Sequence, residues 1–238
     1  MTIPNTSSGF TNRFFNYLAA MKLRSLLILA VACVCLFSCK DDAPTTTTPP
    51  DLEAQDTLVE VTTDHGTMIM YMYKGTPKHR ANFHKLVKDG FYNDTEFHRI
   101  IPNFMIQGGD PLSKDGDRNN DGTGGPGYTV PAEIDTDKYT HILGAVAAAR
   151  LGDAQNPSRA SSGSQFYIVV SESGTASLNG KYTVFGQVIK NATVAETIVV
   201  QPRINTTTNR PVERIKMQMK FIVKTGAEIQ TEYGFDVE

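Results

Sequence analysis

Residues 97–110 read FHRIIPNFMIQGGD, a run of strand-forming apolar side chains that contains one cation, Arg99. The segments 95–100 and 104–107 are predicted to form two short β-strands. Phe104 and Met105 are neighbours, so in a regular strand their side chains would lie on opposite faces. If both side chains line one site, the backbone must bend locally at this point.

Short strands separated by turns are predicted along the rest of the chain. Two apolar runs flank Asp64-His65-Gly66 and predict a hairpin, and a helix is predicted from Pro77, with Thr76 as its N-cap. Many strands and two short helices indicate a mainly β fold: a closed antiparallel eight-stranded β-barrel capped by two short α-helices. The predicted strands are 58–63, 67–73, 95–100, 104–107, 144–148, 165–170, 183–189 and 212–223, and the predicted helices are 77–88 and 192–199.

The composition is that of a soluble globular protein, with 40% hydrophobic and 20% charged residues and a formal net charge of −2. This balance argues against a nucleic-acid-binding protein, which usually carries a basic excess. Residues 1–39 hold three basic residues, no acidic residue and all three cysteines. The rest of the chain has 20 Lys and Arg against 25 Asp and Glu. It is therefore mildly acidic, and without cysteines it cannot depend on disulfides.

Residues 21–39 predict a targeting segment, and residues 1–20 are interpreted as an upstream extension. A basic start precedes an apolar run from Leu26 to Phe37, which is the pattern of a secretory signal peptide. The end of the run, Leu36-Phe37-Ser38-Cys39, resembles the lipobox of bacterial lipoproteins. The resemblance implies cleavage before Cys39 and acylation of that residue; an ordinary signal peptide is the alternative. We therefore expect an exported lipoprotein in the outer membrane of a Gram-negative bacterium, on its periplasmic or cell-surface side.

The chain after Cys39 divides into three parts. Residues 40–57 are rich in Thr and Pro and predict a flexible tether. Residues 58–225 contain all the predicted strands and form one domain, and residues 226–238 are a C-terminal tail. We expect the protein to be a monomer that meets the membrane through its lipid anchor at Cys39.

Four sequence blocks, in this order, resemble the cyclophilin peptidyl-prolyl isomerases. They are residues 97–110, GGPGY at 124–128, GSQFYI at 163–168 and LNGKYTVFG at 178–186. The resemblance covers about residues 58–225. It implies isomerisation of X–Pro bonds in proline-containing polypeptides, here those of exported proteins, without a cofactor. A module of the envelope that binds prolyl peptides or acts as a chaperone, with little turnover, is the alternative.

Arg99 is the predicted catalytic residue. Rotation about an X–Pro bond loses amide resonance and meets a barrier of about 18–20 kcal/mol, but no covalent bond breaks. The reaction therefore needs neither a nucleophile nor a metal. In the twisted amide the prolyl nitrogen regains a lone pair, and the charged, forked guanidinium of Arg99 is a suitable donor to it. His98 is not expected to act as a general base, because isomerisation has no proton to abstract.

The resemblance also assigns substrate-binding residues. Ala149 matches a position whose backbone pairs with an extended peptide. Gln107 and Gln165 match groups that hydrogen-bond the substrate backbone, although Gln165 could instead be a buried scaffold amide. The residues that match the proline pocket are Phe104, Met105, Tyr167 and Leu178.

Four positions depart from the commoner family pattern. Arg150 and Tyr182 stand where many eukaryotic members have Asn and His, and both are kept as substrate-binding candidates. Tyr167 replaces the commoner Phe and adds a hydroxyl that needs a partner. The tryptophan that contacts cyclosporin in the family aligns near Ser177, so we expect cyclosporin to bind weakly.

Two insertions extend the family pattern. In the first, Asp117, Asn119 and Asp121 occupy the first, third and fifth positions of a calcium loop, but the twelfth is Tyr128. A complete EF-hand is excluded; calcium held with the help of Asp115 and a simple polar turn both remain open. The second insertion, residues 151–162, either extends the substrate contact surface or is an ordinary loop.

Overall fold

The computed structural model describes residues 53–238. The predicted signal peptide, Cys39 and most of the tether lie outside the described residues. No helix within the described part is long and apolar enough to cross a membrane. The strands are β1 (Gln55–Thr63), β2 (Gly66–Met72), β3 (Arg99–Ile101), β4 (Met105–Gly108), β5 (Thr129–Val130), β6 (Ala145–Ala148), β7 (Ser161–Ser162), β8 (Phe166–Val169), β9 (Val184–Lys190) and β10 (Gln218–Thr225), and the helices are α1 (Pro77–Lys88), α2 (Thr193–Val199) and α3 (Gly226–Tyr233).

Eight of these strands form one antiparallel sheet in the order β10-β1-β2-β9-β6-β8-β4-β3, and β5 pairs with β7 beside it. The two ends of the sheet meet just before β3 and β10. There the Phe97 N–H donates to the Ile215 carbonyl and the Met217 N–H donates to the Thr95 carbonyl, each at 2.9 Å. The predicted mainly β, eight-stranded antiparallel fold is confirmed.

The barrel interior is filled by side chains from strands and from α1. Val61 of β1 and Met68 of β2 face each other in the predicted hairpin, and both are fully buried. Phe83 of α1 packs edge-on against Phe166 of β8, with ring centroids 5.5 Å apart. The interior is thus a packed core. This core holds strands β4, β6 and β8 in place, and the outer side of these strands carries the candidate functional site.

Helix α1 has the predicted bounds, but its N-terminus is capped differently. The Thr76 side chain makes no cap hydrogen bond; its hydroxyl donates to the Tyr73 carbonyl. Instead, the Glu133 carboxylate accepts the backbone N–H groups of Lys78 and His79 at 3.0 and 2.9 Å. A carboxylate satisfies these otherwise unpaired donors and also complements the positive end of the helix dipole. The capping residue Glu133 is 55 residues from Lys78 in sequence, so rules for local capping patterns could not predict it.

The C-terminal tail, for which we predicted no secondary structure, contains a third helix. Helix α3 begins at a capping box formed by Thr225 and Glu228. Ile229 and Val237 are buried and join Leu58 in one hydrophobic cluster. Residues 226–238 therefore form part of the folded domain.

Candidate functional site

A cavity of about 140 Å³ opens in the barrel wall, and nine of the ten predicted catalytic and substrate-binding residues line it. Gln165 is the one predicted residue outside this lining. Among the described residues, no carboxylate contributes to the cavity wall. The cavity wall thus combines apolar side chains with cationic, amide and hydroxyl-bearing ones. Its lining consists of Arg99, Phe104, Met105, Gln107, Ala149, Arg150, Tyr167, Leu178 and Tyr182.

The bend required between Phe104 and Met105 is present. Phe104 lies in a turn that closes with its N–H on the Ile101 carbonyl at 3.1 Å, and β4 begins at Met105. Asn103, just before the bend, has a φ of +56°, a left-handed conformation that asparagine adopts more readily than most residues. Adjacent side chains from a turn and a strand can therefore line the same cavity.

Arg99 is held at the cavity by Gln107, which faces it across β3 and β4. The Arg99 Nη1 donates to the Gln107 Oε1 at 3.1 Å. Burial lowers the pKa of the partly buried Arg99 guanidinium, which remains charged at neutral pH. Because the structure shows one side-chain partner for Arg99 within residues 53–238, its remaining N–H groups are available to a ligand.

The Gln165 side chain is a scaffold amide. Its Nε2 donates to the carbonyls of Gly122 and Gly124 at 3.0 and 2.8 Å, and its Oε1 accepts from the Gln107 Nε2 at 3.0 Å. Both amide hydrogens are therefore used inside the protein. The side chain of Gln165 therefore supports Gln107, and Gln165 also lines a second, larger cavity next to this one.

The backbone of Ala149 is also occupied within the protein. Its N–H donates to the Gln165 carbonyl at 3.0 Å, and its carbonyl accepts from the Ser162 N–H at 2.8 Å. The Ala149 backbone is thus paired with Gln165 and with Ser162 of β7, and its pairing with an extended peptide stays a prediction. Ala149 still lines the cavity.

The guanidinium of Arg150 is bound within the cavity wall and is not a free cation. Its side chain is only 3% exposed. Its guanidinium donates to the carbonyls of Lys181 and Leu151, at 2.7 and 2.8 Å, and pairs with Asp153 at 2.7 Å. The same group lies 4.5 Å from the centre of the Tyr182 ring. Arg150 thus ties the second insertion to the loop that carries Leu178 and Tyr182.

The second insertion borders a larger cavity of about 780 Å³. Leu151, Gln155, Asn156 and Ser158 of the insertion line it, and it shares Gln107, Ala149 and Arg150 with the smaller cavity. This placement favours the interpretation that the insertion extends the substrate contact surface.

The first insertion forms a network of turns. Asp115 accepts from the Asp117 N–H and the Asn120 side chain, at 2.7 and 2.9 Å, and Asp117 accepts from the Asn119 N–H at 2.9 Å. The Asp121 carboxylate is 2% exposed and lies 3.8 Å from the Arg210 Nε. In the described part of the chain, no three His, Cys, Asp or Glu residues are grouped so that they could hold a metal ion. These contacts fit the polar-turn interpretation of the loop.

Two residues behind the cavity were missed by the sequence analysis. The Tyr167 hydroxyl is hydrogen-bonded to His141 Nε2 at 2.9 Å, and His141 Nδ1 lies 2.8 Å from Asn179 Oδ1. The hydroxyl of Tyr167 indicated that this side chain needs a hydrogen-bond partner, but nothing in the sequence identified His141 as that partner.

The eight-stranded barrel carries in its wall a small cavity with a held arginine, beside a larger cavity. The family model described as cyclophilin type peptidyl-prolyl cis-trans isomerase/CLD matches residues 58–220. The chain therefore belongs to the cyclophilin-type peptidyl-prolyl cis-trans isomerases, as the four sequence blocks predicted.

Individual relatives agree with this family. The chain is 44% identical over 108 residues to peptidyl-prolyl cis-trans isomerase B of Bacillus subtilis, a match over 45% of this chain and 65% of the relative. It is 34% identical to a peptidyl-prolyl cis-trans isomerase-like 1 of Gibberella zeae, over 73% of this chain and 99% of the relative. The solved cyclophilin-type isomerase of Cryptosporidium parvum superposes with a TM-score of 0.61 at 27% identity, over 71% of this chain and 98% of that one. A structure of that protein in the presence of the dipeptide Ala-Pro has a TM-score of 0.59 at 27% identity, over 71% and 99% of the two chains.

Proposed function

We propose that this chain accelerates the cis–trans isomerisation of X–Pro bonds in exported polypeptides, and that Arg99 stabilises the twisted amide. The observation that supports this proposal is the position of the Arg99 guanidinium, partly buried and held by Gln107 at a cavity that Phe104, Met105 and Leu178 also line. The related isomerase of Cryptosporidium parvum was solved in the presence of Ala-Pro, and a dipeptide of this kind is the ligand that we expect the cavity to receive.

In the proposed mechanism, the proline ring enters the cavity between Phe104, Met105 and Leu178. The X–Pro amide then lies beside Arg99, whose unused N–H groups donate to the prolyl nitrogen once twisting restores its lone pair. In the planar amide that lone pair is delocalised, so the hydrogen bond is stronger in the twisted state and lowers the barrier. Partial exclusion of water strengthens this interaction further.

The test is a protease-coupled isomerisation assay on a short Pro peptide, comparing wild type with Arg99→Ala. We expect kcat/KM to fall by about 10²–10³-fold, the loss typical of removing one preorganised donor. Arg99→Lys keeps the positive charge but loses the forked geometry of the guanidinium, so its kcat/KM should lie between those of the wild type and Arg99→Ala. The exposed Lys138→Ala is the matched control for loss of a cation. Wild-type turnover in folded Arg99→Ala would refute the catalytic role.

The larger cavity beside the small one favours a second candidate function, the binding of prolyl peptides with little turnover. The same variant separates the two functions. A binding module retains its peptide affinity in Arg99→Ala and shows slow turnover already in the wild type. An isomerase turns over rapidly and loses its rate in the variant.

We further propose that the protein is exported and anchored to the outer membrane through acylated Cys39. The support is the signal-like sequence of residues 21–39 and the Thr- and Pro-rich segment after it. Intact mass of the protein purified from membranes should show an N-terminal, acylated Cys39, and Cys39→Ala should abolish the acylation and leave residues 21–38 uncleaved. An unmodified Cys39 in the membrane-purified protein would refute the anchor.

A further inference from the structure

Tyr167 has two different sides in this structure. Its ring lines the small cavity, whereas its hydroxyl meets His141 Nε2 at 2.9 Å. His141 does not line the cavity and is only 2% exposed. A buried imidazole therefore contacts the cavity wall from the protein side, and the mechanism above gives it no role.

The hydrogen bonds of Asn179 determine which nitrogen of His141 carries the proton. The Asn179 Oδ1 accepts the backbone N–H of His141 at 3.0 Å and lies 2.8 Å from its Nδ1. A carbonyl oxygen can only accept, so Nδ1 must be the protonated nitrogen. Nε2 then has a free lone pair, and the Tyr167 hydroxyl donates to it. Burial lowers the pKa of His141, in agreement with a neutral ring.

The orientation of the hydroxyl proton affects the cavity. Because the proton is directed to His141, Tyr167 presents the cavity with its ring and without a hydrogen-bond donor. The ring planes of Tyr167 and His141 are 13° apart, and Tyr182 meets both rings edge-on, at 5.9 and 6.4 Å between centroids. The three rings pack together, and the Tyr167–His141 hydrogen bond holds them in this arrangement.

We propose that His141, oriented by Asn179, is a positioning residue that holds Tyr167 as an apolar wall of the proline-binding cavity. The proposal rests on the proposed function, because it assumes that the proline ring binds in this cavity. The ring of Tyr167 contacts a proline in the planar and the twisted amide alike. Its misplacement should therefore weaken binding uniformly, raising KM and leaving kcat nearly unchanged.

The experiment measures kcat and KM on the short Pro peptide for His141→Leu, His141→Gln, Tyr167→Phe and the double variant His141→Leu/Tyr167→Phe. In His141→Leu the Tyr167 hydroxyl loses its acceptor, and we expect KM to rise about fivefold, the effect of one hydrogen bond of roughly 1 kcal/mol. His141→Gln supplies a carbonyl acceptor near the position of Nε2 and should recover most of the affinity. The KM of the double variant should be no higher than that of His141→Leu alone, because both changes remove the same hydrogen bond.

Three results would overturn the proposal: an unchanged KM in His141→Leu, losses that multiply in the double variant, or a fall in kcat at constant KM. If His141→Leu does not fold, Asn179→Leu decides, because it removes the acceptor of His141 Nδ1, with KM expected to rise at constant kcat. Arg99→Ala in the same assay separates this proposal from the proposed function. If Arg99→Ala loses kcat while KM is unchanged in the His141 and Tyr167 variants, only the positioning role fails. If Arg99→Ala retains full turnover, the proposed function fails.

Discussion

Arg99 is held by neutral amides and not by a carboxylate. Gln107 accepts from its guanidinium, and Gln165 accepts from Gln107 and donates to two loop carbonyls. An anionic partner would neutralise the guanidinium and compete with a ligand for its donors. A chain of amides orients the guanidinium and leaves its full charge for the ligand.

This arrangement predicts that Gln165 acts on catalysis through Gln107. Gln165→Leu leaves the carbonyls of Gly122 and Gly124 without their donor and leaves Gln107 without its acceptor. We expect kcat/KM to fall about tenfold, equivalent to one buried hydrogen bond of roughly 1–1.5 kcal/mol. The protease-coupled assay measures this, with the exposed Gln230→Leu on α3 as control. Unchanged kcat/KM in Gln165→Leu would contradict the role of the amide chain.

Ser177 makes a further residue-level prediction. It is exposed in a 3₁₀ turn, Ala176–Leu178, that contributes Leu178 to the cavity. Cyclosporin should inhibit the wild type weakly, because the apolar area and N–H donor of an indole are missing. Ser177→Trp should lower the inhibitory concentration by about tenfold or more, as expected for burying a large aromatic side chain. Tight inhibition of the wild type would contradict this prediction.

At the scale of the elements, α3 closes one side of the barrel. Its capping box fixes the first turn, and Ile229 is fully buried. Beyond the helix, the Glu238 carboxylate accepts the N–H groups of Lys74 and Gly75, at 2.7 and 3.2 Å. The tail therefore links β10 to the turn before α1.

Truncation of Ile229 tests whether this element stabilises the domain. Ile229→Ala should lower the free energy of unfolding by about 2–4 kcal/mol, because it removes buried methyl groups and leaves a cavity. Urea denaturation measures the loss, and Thr231→Ala, exposed on the same helix, is the control. A change below about 0.5 kcal/mol in Ile229→Ala would mean that α3 does not contribute to the folded core.

On the scale of the whole molecule, burial lowers the pKa of four histidines within residues 53–238, and for His84 and His98 the shift is large. His84 of α1 packs edge-on against Phe221 of β10, and His98 lies beneath Gly122. Burial lowers the pKa of each to about 4. A pKa of about 4 makes His98 a weak base, and its side chain is buried away from the cavity.

These lowered pKa values predict acid sensitivity. The unfolded chain takes up a proton on each histidine near pH 6.5, whereas the folded chain does so only near pH 4. The free energy of unfolding should therefore be constant above about pH 6.5, fall as the pH drops towards 4, and level off below that for these two groups. For buried His98 the loss is on the order of 3 kcal/mol. Urea titrations at pH 7.5 and 5 should measure about 2 kcal/mol of this loss, because the rest develops nearer pH 4. His98→Phe should reduce the difference; an equal pH dependence in the variant would contradict this origin.

Much of the site could be predicted from the sequence because its chemistry depends on a few residue types at fixed positions. Arg99, Gln107 and the neighbours Phe104 and Met105 lie within one stretch, and the need for a bend between the last two followed from strand geometry alone. The bounds of α1 also followed from local signals at Pro77 and Gly90. The capping box at Thr225 is a comparable local signal for α3, which the prediction of a plain tail overlooked.

The sequence by itself determined the family, the eight strands of the main sheet and the catalytic candidate, since short-range patterns encode these properties. It did not predict the two-residue strands β5 and β7, and it placed β3 and β10 several residues too early. The tertiary structure decided what each polar group is paired with. It placed Gln165 and the Ala149 backbone inside the scaffold, made Arg150 a clamp, and brought His141 to the Tyr167 hydroxyl. The physical reason is that buried donors and acceptors must all be paired, and their partners come from segments far apart in the chain.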